Sequence, residues 1–289
     1  MLRDILVPAT GTEVDAPVFA AAVAVARAWS AHLKFLHVRA DVDRIAATIA
    51  AGDPAAGGAG LVQTMSLFQR DAASRQAKAE RTVREACENA QVIVGDPGAS
   101  GRASAEWQVE TGDQAALLAA HGRVADLLVV GRAGDGQTLA MNVLEVALLQ
   151  TGRPMLIASP RPVQVDGGTV VIAWKDTREA ARAVSAAVPF IQRAARAVIV
   201  SIAEDAKSTE QACTRLQQAI RWHNPKIELR QLAPGSHSLV DTLLQEVTRL
   251  EPALLVMGAY SHSRMREVVF GGFTRRVLGA ADLPVLMAR

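Results

Sequence analysis

Small and hydroxyl-bearing residues cluster after an apolar run, residues 254–257, near the end of the chain. In a parallel α/β sheet, ligands bind beyond the carboxyl ends of the strands. Small residues in such a place let backbone N–H groups approach phosphate oxygens, and the N-terminus of a following helix adds a favourable dipole. The pattern therefore predicts a phosphate-binding loop, although glycines also serve turns and helix packing. The residues that carry it are Gly258, Ser261, Gly271, Gly272 and Thr274.

Several other residues of chemical interest each allow two interpretations. His262 lies in a basic loop, where it either contacts a phosphate or is simply solvated. Trp174 follows an apolar run and either stacks on a base or packs in the core. His37 ends an apolar strand, where a buried or rim position is expected. No Gly-x-Ser-x-Gly elbow, Walker A motif or metal-ligand spacing occurs, so the sequence indicates no catalytic centre.

Two pairs of matching segments show that the chain contains an internal duplication. Residues 125–131 resemble residues 252–258, and residues 153–157 resemble residues 283–287. The offset between the members of each pair is nearly constant, which chance similarity does not produce. The sequence therefore predicts two tandem copies of one domain.

Each copy alternates short, continuous apolar runs with longer helical stretches. The domains are expected over residues 1–160 and 167–289, with a Pro- and Gly-rich linker between them and a loop at residues 52–60. Strands of this kind are buried because helices cover both faces of a parallel sheet. Right-handed crossovers then give two tandem Rossmann-like α/β domains, each a five-stranded parallel sheet with helices on both faces. Helices are expected at Ala16–Trp29, Leu67–Asn89 and Arg178–Arg193, with others beginning near Asp113 and Ser238.

The glycine spacing after the fourth strand of the second copy resembles the signature of the universal stress protein family. That signature is Gly-x2-Gly-x9-Gly-Ser/Thr, followed by Pro-Val-Leu on the closing strand. Its closing strand corresponds to Pro284, Val285 and Leu286. The resemblance implies two tandem adenine-nucleotide α-hydrolase-like domains in a stress-response protein. It also implies that the loop holds ATP in some members, while other members bind no nucleotide. The four fixed positions are taken by Gly258, Ser261, Gly271 and Gly272.

This sequence departs from the family at two positions of the signature and at one position outside it. Ser261 replaces the second glycine, and Gly272 stands where the family has a hydroxyl residue, although Thr274 offers a hydroxyl two residues later. Lys175 stands where ATP-binding members carry Asp, and the reversed charge either favours a phosphate or removes the usual nucleotide pose. The contacts that the resemblance implies for ATP are Lys175, Met257, Gly258, Ser261, His262, Gly271, Gly272, Phe273 and Thr274.

The first copy retains only part of this pattern. Gly131 and Gly134 keep the first turn, but Met141 and Asn142 stand where the second copy has two adjacent glycines. A loop without the small pair loses much of a phosphate cradle. We therefore expect a degenerate, mostly structural first copy, in which Arg132 is placed where it could reach an anion.

Composition and strand order narrow the range of partners. Lys and Arg total 31 against 29 for Asp and Glu, so no nucleic-acid surface is expected. No run of 18 apolar residues and no signal peptide occur, so the expected location is the cytoplasm, without a membrane contact. The fifth strand of each copy is an edge strand. The copies are therefore expected to pair there as an intramolecular pseudo-dimer, which leaves room for a further homodimer.

Three functional hypotheses follow from these observations. The first is a non-catalytic stress-response protein that binds an adenine nucleotide in its second copy only. The second is an ATP-hydrolysing or nucleotidyl-transferring enzyme of the same superfamily, and the third is an interaction scaffold without a ligand. The sequence contains no recognisable general base or metal cluster, which favours the first hypothesis over the second.

Overall fold

In the first half of the chain, the described residues give the bounds of six strands and four helices. The computed structural model describes residues 2–42, 44, 46–47, 51, 59–95, 101–132, 138–202, 206–233, 238–259, 272–280 and 282–289. The strands are β1 (Asp4–Pro8), β2 (His32–Arg39), β3 (Ile93–Val94), β4 (Ser104–Thr111), β5 (Leu127–Val130) and β6 (Met155–Ile157). The helices are α1 (Asp15–Trp29), α2 (Ala59–Asn89), α3 (Gln114–Val124) and α4 (Thr138–Gln150).

The second half repeats the alternation of strands and helices with five strands. The strands are β7 (Thr169–Ala173), β8 (Arg196–Ile202), β9 (Ile227–Leu232), β10 (Leu254–Gly258) and β11 (Val285–Ala288). The helices are α5 (Arg178–Arg193), α6 (Ala206–Arg221), α7 (Leu239–Leu250) and α8 (Gly272–Ala280). The α/β duplication expected from the sequence is confirmed.

All the described strands join in one sheet. Its order is β3-β4-β2-β1-β5-β6-β11-β10-β7-β8-β9. Neighbours within each half run parallel, whereas β6 and β11 run antiparallel, with Leu156 opposite Leu286. In the first half β1 lies between β2 and β5, and in the second half β7 lies between β8 and β10, which is the doubly wound order. The closing strands of the two halves thus cover each other's edges.

Helices cover both faces of this sheet, and each face has its own buried cluster. Along β1, Ile5 and Val7 lie in one cluster and Leu6 lies in the other, because successive side chains of a strand point to opposite faces. Each cluster contains residues from both halves, such as Leu156 and Leu286 in the first. The hydrophobic core is therefore shared by the two halves.

Side chains cap several helices where the sequence predicted helix starts. Asp113 accepts a hydrogen bond from the N–H of Ala116 at the start of α3, and Ser238 accepts from Asp241 at the start of α7. Capping of this kind satisfies backbone donors that a first helical turn leaves unpaired. Near helix ends, Arg153 Nε donates to the carbonyl of Arg123 at 2.9 Å.

Two features of the first half differ from the sequence-based expectation. The five-stranded sheet gains a sixth strand, the two-residue β3 at the edge of the sheet, which is too short for a periodicity signal. Helix α2 begins at Ala59 rather than Leu67, so Gly60 is helical, while residues 52–58 of the expected loop lie outside the described residues. Within the described ranges, every helix is too short or too polar to cross a membrane.

Candidate functional site

The carboxyl ends of β7 and β10 lie side by side in the second half. The two strands pair in parallel, with Met257 opposite Ala173. Beyond β7 come Trp174 and the exposed Lys175, and Thr177 then caps α5 by accepting from the N–H of Ala180. The structure therefore places Lys175 at the end of the strand next to the one that leads into the predicted phosphate loop.

Gly258 is needed for the packing of β10 against α5. A Cβ at this position would lie 2.5 Å from the backbone nitrogen of Ala180, which no real Cβ contact allows. The first half has the same arrangement, since a Cβ on Gly131 would overlap the side chain of Val14. The helix-packing interpretation left open by the sequence is thus supported at Gly258.

The remaining predicted ligand residues fall into three groups. Gly272 begins α8, where Phe273 is 39% exposed and Thr274 is only 6% exposed. The side chain of Met257 is 4% exposed and belongs to the buried cluster on the α7–α8 face. Ser261, His262 and Gly271 lie outside the described residues.

Trp174 carries a hydrogen-bond donor for which the described part of the chain provides no acceptor. Among the described residues, none accepts a bond from its buried indole Nε1–H. Its backbone is fully engaged, since the N–H donates to Val200 and the carbonyl accepts from Ser201 Oγ at 2.9 Å. Buried donors are almost always paired, and this one lies at the edge of the sheet where ligands of α/β proteins bind.

The corresponding turn of the first half is filled by the protein itself. Asp15, the first residue of α1, accepts bonds from the N–H of Gly11 at 2.7 Å and from Thr10 through both its N–H and its Oγ1. Burial raises the pKa of Asp15, and these hydrogen bonds oppose the shift. A carboxylate of the chain thus takes the backbone donors that an anion would otherwise meet at this turn.

Helix α2 packs over the first-half turn that contains Gly11. A Cβ on Gly11 would lie 2.3 Å from the carbonyl oxygen of Arg75, and Lys78 of the same helix pairs with Glu13. In the second half, the described contacts between α6 and the turn include a surface ion pair, Arg215 to Asp176 at 3.3 Å. The two turns therefore differ: backbone packing covers the first, and exposed charged side chains flank the second.

His37 completes the buried polar group of the first half. It is 4% exposed, its Nδ1 lies 2.7 Å from the carbonyl oxygen of Ala9, and its ring stacks on Trp107 at 5.9 Å. Burial lowers the pKa of His37, and the Ala9 contact and Asp15 oppose that shift. The expectation of a buried or rim histidine is correct, and its role here is structural.

Arg132 does not face an open anion site. Its guanidinium donates to the carbonyl of Leu278 and, at 2.9 Å, to that of Leu283, both in the second half. Burial lowers its pKa, and Asp282 opposes the shift. The sequence showed an arginine beside a glycine turn, but not that the other copy would supply the acceptors. In the described part of the chain, no group of three or more His, Cys, Asp or Glu side chains could hold a metal ion.

Comparisons with known proteins identify this fold. A universal stress protein from Archaeoglobus fulgidus DSM 4304 superposes with a TM-score of 0.70 at 14% identity, covering 100% of this chain and 97% of that one. A functionally unknown protein from Pseudomonas aeruginosa PAO1 superposes with a TM-score of 0.58 at 14% identity, covering 99% of this chain and 92% of that one. No protein-family model and no curated protein sequence matches the chain. The chain has the fold of a universal stress protein with two domains in tandem.

Proposed function

We propose that this chain, with its tandem universal stress protein fold, is a stress-response protein. It binds an adenine nucleotide without catalysis at the carboxyl ends of β7 and β10. The observation that carries the proposal is the buried indole N–H of Trp174, which has no acceptor among the described residues and lies beside the exposed Lys175. Adenine, ribose and phosphate all present hydrogen-bond acceptors, and a lysine ammonium attracts phosphate charge. Phe273 and Thr274 belong to the neighbouring helix N-terminus, which favours the same charge.

The proposal assigns one site to the molecule rather than two. In the first half, Asp15 and α2 take up the equivalent turn, so a phosphate there would meet a carboxylate and the backbone of Arg75. In the second half the turn carries Lys175 instead, and its flanking charges are exposed. We therefore expect one nucleotide per chain.

Calorimetric titration of the full chain with ATP tests the proposal. The expected result is saturable binding of one ATP with a Kd below about 1 mM. Trp174→Phe keeps an aromatic ring in the core but removes the donor, so its affinity is expected to fall roughly fivefold. Trp222→Phe is the matched control, because Trp222 is 90% exposed on the surface. The absence of binding at millimolar ATP would overturn the proposal and leave the scaffold hypothesis.

Phosphate release from ATP separates binding from catalysis. A binding protein is expected to release no phosphate above the rate of the buffer. Turnover that disappears in Gly271→Val would instead support the enzyme hypothesis, since the substituted loop residue is one of the implied phosphate contacts.

A further inference from the structure

Arg132 links the degenerate half to the helix that follows the candidate nucleotide loop. It comes directly after β5 and Gly131, and its guanidinium donates to two carbonyls of the second half. Because β6 and β11 are antiparallel, Ile157 at the carboxyl end of β6 lies opposite Val285 at the amino end of β11. A side chain leaving β5 at that end therefore reaches the segment that leads into β11.

The two acceptors lie near the end of α8 and shortly before β11. Leu278 is in the last turn of α8, where carbonyls have no partner within the helix. Leu283 precedes β11, which lies in the middle of the sheet. A partly buried guanidinium that bonds both carbonyls fastens the end of α8 to the sheet, and its charge suits the negative end of the helix dipole.

The equivalent position of the second half carries no such side chain. The position that matches Arg132 in the repeat is Ala259, directly after Gly258, and Ala259 is fully buried. Alanine has no donor in its side chain, so this position does not return the contact. The half that has lost the glycine pair therefore supports the half that has kept it.

We propose that Arg132 is a positioning residue that sets the nucleotide affinity of the second half by holding α8 in place. This inference rests on the proposed function. Helix α8 has nine residues, and a helix of that length is a rigid segment of about 13 Å. Its first residues include Phe273 and Thr274, while its last turn bears the Leu278 carbonyl. If the C-terminal end of α8 is no longer held, its N-terminal end also shifts, because only about two turns separate the two ends.

The chain offers a matched control for this experiment. Arg153 Nε donates to the carbonyl of Arg123 at the end of α3, with both residues in the first half. Arg153→Lys thus removes the same kind of arginine contact at a helix end without touching α8. Arg132→Lys keeps the charge but replaces the planar guanidinium, which can reach both carbonyls, with a single ammonium.

Hydrogen exchange of the ligand-free full chain and ATP titration give two independent readouts. In Arg132→Lys, the amides of α8 are expected to exchange about tenfold faster, because bonds from charged donors at a helix end are among the stronger ones. The Kd for ATP is expected to rise about fivefold to tenfold. Arg153→Lys should change neither quantity.

Each outcome decides one of the two proposals. Unchanged exchange in α8, or faster exchange with an unchanged Kd, would overturn the role of Arg132 while leaving nucleotide binding intact. If the unmodified chain binds no ATP, the proposed function fails and the effect on affinity fails with it. In that case the exchange rates alone still show whether Arg132 holds α8.

Discussion

Gly258, which the sequence places in a phosphate loop, has a packing role in the structure. The sequence predicted Gly258 as a place where phosphate meets backbone, and the structure shows α5 against its α-carbon. Glycine there removes a steric conflict before any ligand arrives. The sequence alone shows that small residues cluster after β10. Why position 258 requires glycine depends on the packing of α5, which begins about eighty residues earlier in the chain.

Gly258→Ala is expected to destabilise the fold because its Cβ would meet the backbone of Ala180, which cannot rotate away. Overpacking of this kind costs about 1–3 kcal/mol of unfolding free energy. Gly279→Ala is the control, since a Cβ there meets no atom within 4 Å and Ala favours the helix. Urea denaturation of the two variants measures the difference, and equal stabilities would contradict the packing role.

The buried histidine predicts a pH dependence of stability. The folded pKa of His37 is lowered, so the unfolded chain takes up the proton first as pH falls. The contribution of His37 to stability is therefore complete above its ordinary pKa, about 6.5, and is lost as the pH drops below it. Urea denaturation at pH 7 and pH 5 should show that the free energy of unfolding falls less between these pH values in His37→Gln than in the unmodified chain. His223→Gln, at an exposed position, should keep the full loss.

At the scale of elements, the helix starts were more predictable than the helix contacts. Arg178–Arg193 was predicted with its observed bounds, and in the structure Thr177 caps the start of this helix. The extension of α2 to Ala59 was missed, since Gly and Ala near its start are typical of a loop. Arg75 and Lys78, which pack over the first turn, lie in the part of α2 that was predicted. Their contacts with Gly11 and Glu13 join segments about sixty-five residues apart, so the closure of the first half was not predictable.

The register between β6 and β11 can be tested by cross-linking. Leu156 and Leu286 are directly opposite in an antiparallel pair, where Cα atoms are about 4.5–5.5 Å apart. Leu156→Cys with Leu286→Cys should therefore form a disulfide under mild oxidation. Leu156→Cys with Met287→Cys should not, because the two side chains point to opposite faces. Peptide mapping by mass spectrometry distinguishes each engineered disulfide from any bond to the native Cys87 or Cys213. A disulfide between positions 156 and 287 but not between 156 and 286 would contradict the register.

For the whole molecule, the duplication was the most secure prediction, because two matched segments at a nearly constant offset determine the repeat without any structure. The difference between the copies was predictable only in part. Loss of the glycine pair at Met141 and Asn142 is visible in the sequence. The carboxylate of Asp15 and the cross-domain reach of Arg132 are not, since both depend on contacts between distant segments.

The shared sheet and core predict that the two halves unfold together. Scanning calorimetry should show one transition whose calorimetric and van't Hoff enthalpies agree. Leu156→Ala, at a buried position of the joining strand β6, should lower the free energy of unfolding by about 2–5 kcal/mol. The variant should still unfold in one transition, at a lower temperature. Two resolved transitions would show that the halves are energetically separate.

The pairing of β6 with β11 has a consequence for synthesis on the ribosome. About 128 residues separate Ile157 from Val285, which at about 5–20 residues per second take roughly 6–25 s to translate. Throughout that interval the nascent first half carries β6 as an uncovered apolar edge. Neighbouring ribosomes on one message present the same edge at close range, so newborn chains face their greatest risk of pairing with each other before their own last strand arrives.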